Sequence, residues 1–164
     1  MRIEDYHFEL PPELIAQHPA PQRDSSRLLV LNRADASIQH HSFGDLPGLL
    51  DPRDALTLNQ TRVVPARLKG KGAGRDGAVE LLLIRQEGER WLAMGKPAKR
   101  LGPGSRVEFG GGRLRAQIVE QAGPGRVWVC CDPPQVRQLL PTLGEIPLPP
   151  YIRRPLAPED QERY

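Results

Sequence analysis

The densest group of residues able to do chemistry is Asn59-Gln60-Thr61-Arg62-Val63-Val64-Pro65-Ala66-Arg67, which follows an apolar run and sits where a loop is expected. Loops at the ends of rigid elements are where binding groups concentrate. Arg62 and Arg67 each carry a planar fork of donors that suits a carboxylate or a phosphate, while Asn59 and Thr61 add neutral hydrogen-bonding groups. The same arginines also fit a plainer reading, a surface pair bridged to acidic neighbours. Lys96, Lys99 and Arg100 fall within five residues, and Arg153 and Arg154 are adjacent, so either set could neutralise the phosphates of a nucleic acid or simply face solvent. Tyr151, two residues before Arg153, could stack on a splayed base or pack on the prolines around it.

Other chemistries find less support. The four histidines (His7, His18, His40 and His41) have no ligand spacing, and no Ser-His-Asp set, paired carboxylates or HExxH motif is present. Cys130 and Cys131 are adjacent, so in a strand they point to opposite faces and neither bond each other nor share a metal. Free thiols suit a reducing cytoplasm, and no metal site is expected. Glu80 lies inside an apolar strand-like run and needs a partner there, as a binding group or as a strand-edge charge. The loop Lys69–Gly77 is glycine-rich and basic but lacks the Gly-Lys-Ser/Thr of a phosphate-binding P-loop; a hairpin tip or crossover fits it better.

The elements that must position these residues are short. Gly (16) and Pro (18) break up a chain of 164 residues too often for long helices. Strands are expected at 27–32, 38–43 and 55–59, with a turn near Ala34–Ala36. Further strands fall at 79–84, 90–94, 106–109, 114–119 and 127–131, separated by Gly-Pro-Gly and Gly-Gly-Gly turns. That spacing predicts a small barrel or sandwich. Single helical turns are expected after Pro11-Pro12, near 43–50 and at 136–140. The prolines of 144–152 predict an extended crossing, and a helix starts at Pro158. A formal charge of +3 permits a nucleic-acid partner without requiring one. The charged start and the lack of a long apolar run lead us to expect a soluble, cytoplasmic protein with no membrane segment.

Five stretches, in order, resemble one family: Phe8–Gln17, Arg23–Val30, Asn59–Leu68, Lys96–Leu101 and Gly144–Ile152, with Asp160–Tyr164 opening a sixth. Together they resemble the S-adenosylmethionine:tRNA ribosyltransferase-isomerases of queuosine biosynthesis across the whole chain. The resemblance implies an α+β, predominantly β protein of two domains, with a small antiparallel β-barrel-like domain inserted in a mixed-sheet domain. The expected boundaries are 1–66, 67–148 and a return at 149–164.

The resemblance also implies a monomer that consumes S-adenosylmethionine as a substrate and needs no other cofactor. Its partner would be a tRNA carrying a queuosine precursor base at the wobble position. Asn59, Thr61, Arg62 and Arg67 are the candidates for substrate binding. Lys96, Lys99, Arg100, Tyr151, Arg153 and Arg154 are the candidates for tRNA contact. Gln60 stands where the family has Asp, which removes an ionisable group, so no catalytic residue is assigned. A later family segment, with a Thr-Ala-Gly-Leu-His-Phe-like stretch, lies beyond Tyr164; the 164 residues alone are therefore expected to be inactive.

Overall fold

The computed structural model describes residues 2–73 and 77–163. The chain divides into two compact units. One comprises the residues up to Thr61 together with Pro150–Arg154; the other comprises Arg62–Pro149 together with the residues from Pro155 onward. These divisions lie at 61/62 and 149/150, against the 66/67 and 148/149 read from the sequence, and the residues after Pro155 group with the second unit.

In the first unit, β1 (Arg27–Leu31) and β2 (Ile38–Ser42) form an antiparallel hairpin registered from Arg27↔Ser42 to Leu31↔Ile38. The turn between them is held by side chains. Asn32 Oδ1 accepts from the Ala34 N–H at 3.0 Å, Asp35 Oδ1 accepts from the Ser37 N–H at 2.9 Å, and Ala36 takes a left-handed φ of 56°. The Ser37 contacts hold the Asp35 carboxyl below its ordinary range. A 3-10 turn at Phe43–Asp45, boxed by Ser42 and Asp45, leads into α1 (Leu46–Leu49).

No element of this unit contains a buried residue, and Leu29, Leu31 and Ile38 are more than half exposed. The strand expected at 55–59 is absent. Leu56 and Leu58 are exposed, and those residues have no ladder partner among the described residues; apolar β-formers do not make a strand without a neighbour to bond.

The second unit is a closed barrel of six strands: β3 (Arg67–Gly72), β4 (Ala78–Glu87), β5 (Arg90–Lys96), β6 (Arg106–Phe109), β7 (Leu114–Gln121) and β8 (Arg126–Asp132). The order around the barrel is β3-β4-β5-β8-β7-β6, and β3 closes it by pairing with both β4 and β6. All of these pairings are antiparallel, so the chain is predominantly β with few helical residues. Closure removes the open edges that an unrolled sheet would present. Alternate residues point inward, and Leu68, Leu81, Phe109, Leu114, Ile118 and Val129 are each at most 1 % exposed. Burying each such side chain stabilises the fold by about 2 kcal/mol.

The two ends of the barrel are plugged differently. Toward Trp91 and Phe109 sits α2 (Val136–Leu143), which contributes Val136 and Leu140 to the core. Its last residue is followed by the short strand β9 (Gly144–Glu145), paired with the start of β3. At the other end the turn Ala98–Arg100 delivers Leu101 (1 % exposed) against Gly95 and Leu81.

The glycine-rich run expected as a loop is half strand: Lys69–Gly72 pairs with both β4 and β6. Gly70 explains this locally, because a Cβ there would collide with the Glu108 carbonyl and the Phe109 ring, so only glycine lets the strand close over them. The rest of that loop, residues 74–76, lies outside the described residues. The chain ends in α3 (Asp160–Arg163), where the buried Asp160 carboxylate accepts from the Ala157 N–H at 2.7 Å.

Candidate functional site

The Asn59–Arg67 cluster straddles the division between the two units. In the first unit Asn59 Oδ1 accepts from the Thr61 N–H at 2.8 Å, an Asx turn that bends the chain and leaves both residues exposed. In the second, Arg62 is exposed, and the Ala66 N–H bonds to the Val64 carbonyl at 2.7 Å, a tight turn that starts β3. Arg67 is the first residue of that strand and is half-buried.

Arg67 resolves the question of Glu80. The two meet on the barrel's outer wall, Arg67 Nε lying 3.5 Å from Glu80 Oε1. Arg67 stands opposite Glu145 in the ladder and Lys69 stands opposite Glu80, yet the ion pairs run diagonally, with Lys69 Nζ 2.7 Å from Glu145 Oε2. Lys96 faces Glu80 from β5. Arg67 Nε, although within ion-pair range of the carboxylate, is a buried donor with no hydrogen-bond partner. A buried unsatisfied guanidinium donor is a group that an arriving anion could complete.

The residues chosen for tRNA contact fall into two sets. Lys96, Lys99 and Arg100 are exposed at the Leu101 end of the barrel, and Arg100 Nη1 donates to the Ala78 carbonyl at 3.2 Å. Tyr151, Arg153 and Arg154 belong to the first unit and are tied to Gln17. Gln17 Nε2 donates to the Tyr151 carbonyl (3.1 Å), the Arg153 N–H donates to Gln17 Oε1 (2.7 Å) and Arg154 Nε donates to the Gln17 carbonyl (2.7 Å). The Arg154 guanidinium is thus partly committed to structure, while the Tyr151 ring stays 55 % exposed. Gln17 was missed by sequence reasoning, and a lone glutamine after a helical turn carries no signal that it bridges a segment 134 residues away.

The cysteines alternate as adjacent strand residues must: Cys130 is exposed and Cys131 half-buried. Desolvation, reinforced by the neighbouring Cys130, pushes the Cys131 thiol up to about 12, so it is no nucleophile near neutrality. His41 Nδ1 lies 3.9 Å from Asp45 at the surface. Among the described residues no group of three or more His, Cys, Asp or Glu side chains is placed to hold a metal ion. No helix among them is long and apolar enough to cross a membrane.

A closed six-stranded antiparallel barrel, with a basic turn at one end and a chain that leaves and returns through arginine-bearing segments, defines the class: a predominantly β protein of two units. Comparison with known proteins identifies the family. Residues 3–164 match the model of the family described as queuosine biosynthesis protein, and the chain belongs to that family.

Two relatives are named S-adenosylmethionine:tRNA ribosyltransferase-isomerase. The one from Desulfitobacterium hafniense is 45 % identical over 166 residues, and the one from Symbiobacterium thermophilum is 45 % identical over 169. In each case the match covers 100 % of this chain and 48 % of the relative, so the chain spans about half the length of the curated relatives it matches. A crystal structure of S-adenosylmethionine tRNA ribosyltransferase from Thermotoga maritima is 34 % identical with a TM-score of 0.43, covering 85 % of this chain and 48 % of that one.

Proposed function

We propose that this chain forms part of an enzyme that transfers and isomerises the ribosyl moiety of S-adenosylmethionine onto 7-aminomethyl-7-deazaguanine in tRNA, giving epoxyqueuosine. The observation that carries the reading is 45 % identity, over the whole chain, to two relatives bearing that enzyme's name. The sulfonium acidifies the adjacent ribose carbon, so removal of its proton can start the reaction. The carbanion carbon bonds to the former anomeric carbon, whose bond to the ring oxygen breaks; that oxygen then displaces sulfur to close the epoxide, and the carbon–sulfur pair leaves on the thioether of methionine. Adenine leaves with the pair of its glycosidic bond and takes up a proton. The aminomethyl nitrogen forms the new bond to the rearranged, epoxide-bearing ring and loses a proton.

Such a sequence needs the donor held, water excluded and the amine oriented. In this reading Asn59, Thr61, Arg62 and Arg67 bind substrate, with an anionic group competing for the Arg67 guanidinium now beside Glu80. Lys96, Lys99, Arg100, Tyr151, Arg153 and Arg154 contact the tRNA. S-adenosylmethionine is consumed, no further cofactor is called for, and the enzyme acts as a cytoplasmic monomer. The 164 residues by themselves are inactive, because the relatives contribute as much chain again.

Adenine release from S-adenosylmethionine, measured with tRNA carrying the aminomethyl base, tests this. The 164-residue chain should give no release above a protein-free control, and a chain completed to the relatives' length should turn over. A completed chain that releases no adenine would sink the reading. A second reading, a tRNA-binding module without catalysis, draws on the contrast between a fully cored barrel and a first unit whose elements bury no residue. It predicts tRNA binding by the completed chain with no turnover.

A further inference from the structure

The charges on the barrel are not evenly paired. On the walls and toward α2, Arg67, Lys69, Arg85, Arg90 and Arg115 each have a carboxylate within 3.5 Å, while Lys71, Arg113 and Arg137 have no ion pair among the described residues. Unpaired cations gather most densely at the Leu101 end. Lys99, Arg100, Arg106 and Arg126 are all exposed there and have no ion pair among the described residues. The ladder brings them to one end: Arg106 begins β6, Arg126 begins β8, and the Gly95 N–H donates to the Gly125 carbonyl at 3.0 Å beside the 98–100 turn. Lys96 is set apart, because it faces Glu80.

Arg100 and Arg106 line a cleft of about 680 Å³. Its other lining residues are Gly72, Ala73, Gly77, Pro103, Gly104 and Ser105, with no apolar side chain larger than proline. The Arg100 guanidinium lies over Gly77. Gly77 has a φ of +133°, and any side chain there would collide with the Arg100 guanidinium. The bond from Arg100 to the Ala78 carbonyl uses one of the guanidinium's five donors. A cation-rich, apolar-poor cleft of this kind recognises a polyanion backbone rather than a membrane interior or an apolar protein patch.

We propose that this end of the barrel is a sequence-independent phosphate-backbone grip for RNA, in which Arg106 and Arg126 join Lys99 and Arg100 as positioning residues. The proposal rests on the reading that the partner is tRNA. The grip orients the substrate through its backbone and reads no base.

The test is the binding of the 164-residue chain to a tRNA transcript, followed by fluorescence anisotropy across a salt series. The double variant Arg106→Gln/Arg126→Gln is compared with the parent and with Arg113→Gln, an exposed arginine at the α2 end. Each phosphate contact adds about 0.7–0.9 to the slope of log affinity against log salt. The double variant should therefore lose about 1.5 from that slope, with Arg113→Gln unchanged. An unchanged slope in the double variant overturns the grip and leaves the tRNA reading standing. A loss of about 0.75 in Arg113→Gln, half that of the double variant, overturns it too, since net charge alone would then explain the effect. Absence of tRNA binding by the 164-residue parent at low salt overturns the grip, while the tRNA reading is judged by the completed chain.

Discussion

Arg67 Nε lies 3.5 Å from Glu80 Oε1 on the outer wall of the barrel, near enough to feel the charge yet without a hydrogen bond. Both side chains are about a third exposed or less, so solvent screening limits the pair. Glu80→Ala leaves the Arg67 donor with neither a charge partner nor a hydrogen bond, and should cost about 1 kcal/mol. Urea unfolding followed by tryptophan fluorescence checks this cleanly, because both tryptophans, Trp91 and Trp128, belong to barrel strands. A midpoint identical to the parent's would show that the pair contributes nothing.

Gly70 carries the closure of the barrel. With no room for a Cβ between the strand and Glu108 and Phe109, Gly70→Ala must push β3 away from β6. The expected loss is about 2 kcal/mol, in the range of overpacked cores. Gly88→Ala is the matched control: its φ is also positive, at +57°, but nothing lies near its missing Cβ. It should cost about 1 kcal/mol from backbone strain alone. Equal losses for the two variants would refute the close-approach explanation.

Gln17 holds the returning segment through its side-chain amide, which both donates to Tyr151 and accepts from Arg153. Gln17→Ala removes both bonds. The Arg153 amide should then exchange with deuterium several-fold faster, while amides in the barrel strands keep the parent's rates. Unchanged exchange at Arg153 would mean that the bridge does not hold the segment in solution.

Cys131 sets a pH dependence. Its thiol is raised from 9.0 to about 12 in the folded chain, so between those values the folded form keeps a proton that the unfolded form releases. The folded state then binds more protons, and stability falls as pH rises. The contribution is fully present below about pH 9 and is lost toward pH 12, at no more than about 1.4 kcal/mol per pH unit. Cys131→Ala should flatten this part of the urea-midpoint profile. A profile as steep as the parent's would assign the alkaline loss to other groups.

Much of the second unit was legible in the sequence. From Val79 onward, short β-branched and apolar runs broken by Gly-Pro-Gly and Gly-Gly-Gly gave strands close to those seen, and the structure mainly lengthened β4, β7 and α2. β3 was hidden because Lys69–Gly72 has neither apolar alternation nor β-forming residues, and it is a strand only because two neighbours pair with it. The 55–59 run misled for the opposite reason, having strand composition and no partner strand.

The candidate residues themselves were read from their types and from family resemblance; what each one touches was not. The sequence alone determined the arginines and their order, the glycine and proline punctuation that forces short strands, and a resemblance strong enough to place the chain in its family. Those are properties of composition and local spacing. Tertiary structure alone decided that β3 closes the barrel, that Glu80 lies beside Arg67, that Gln17 ties down the Tyr151–Arg154 segment, and that Lys99, Arg100, Arg106 and Arg126 share one end. Each joins residues distant in sequence, and such pairings depend on which strands meet and in what register, a choice settled by packing the whole core at once.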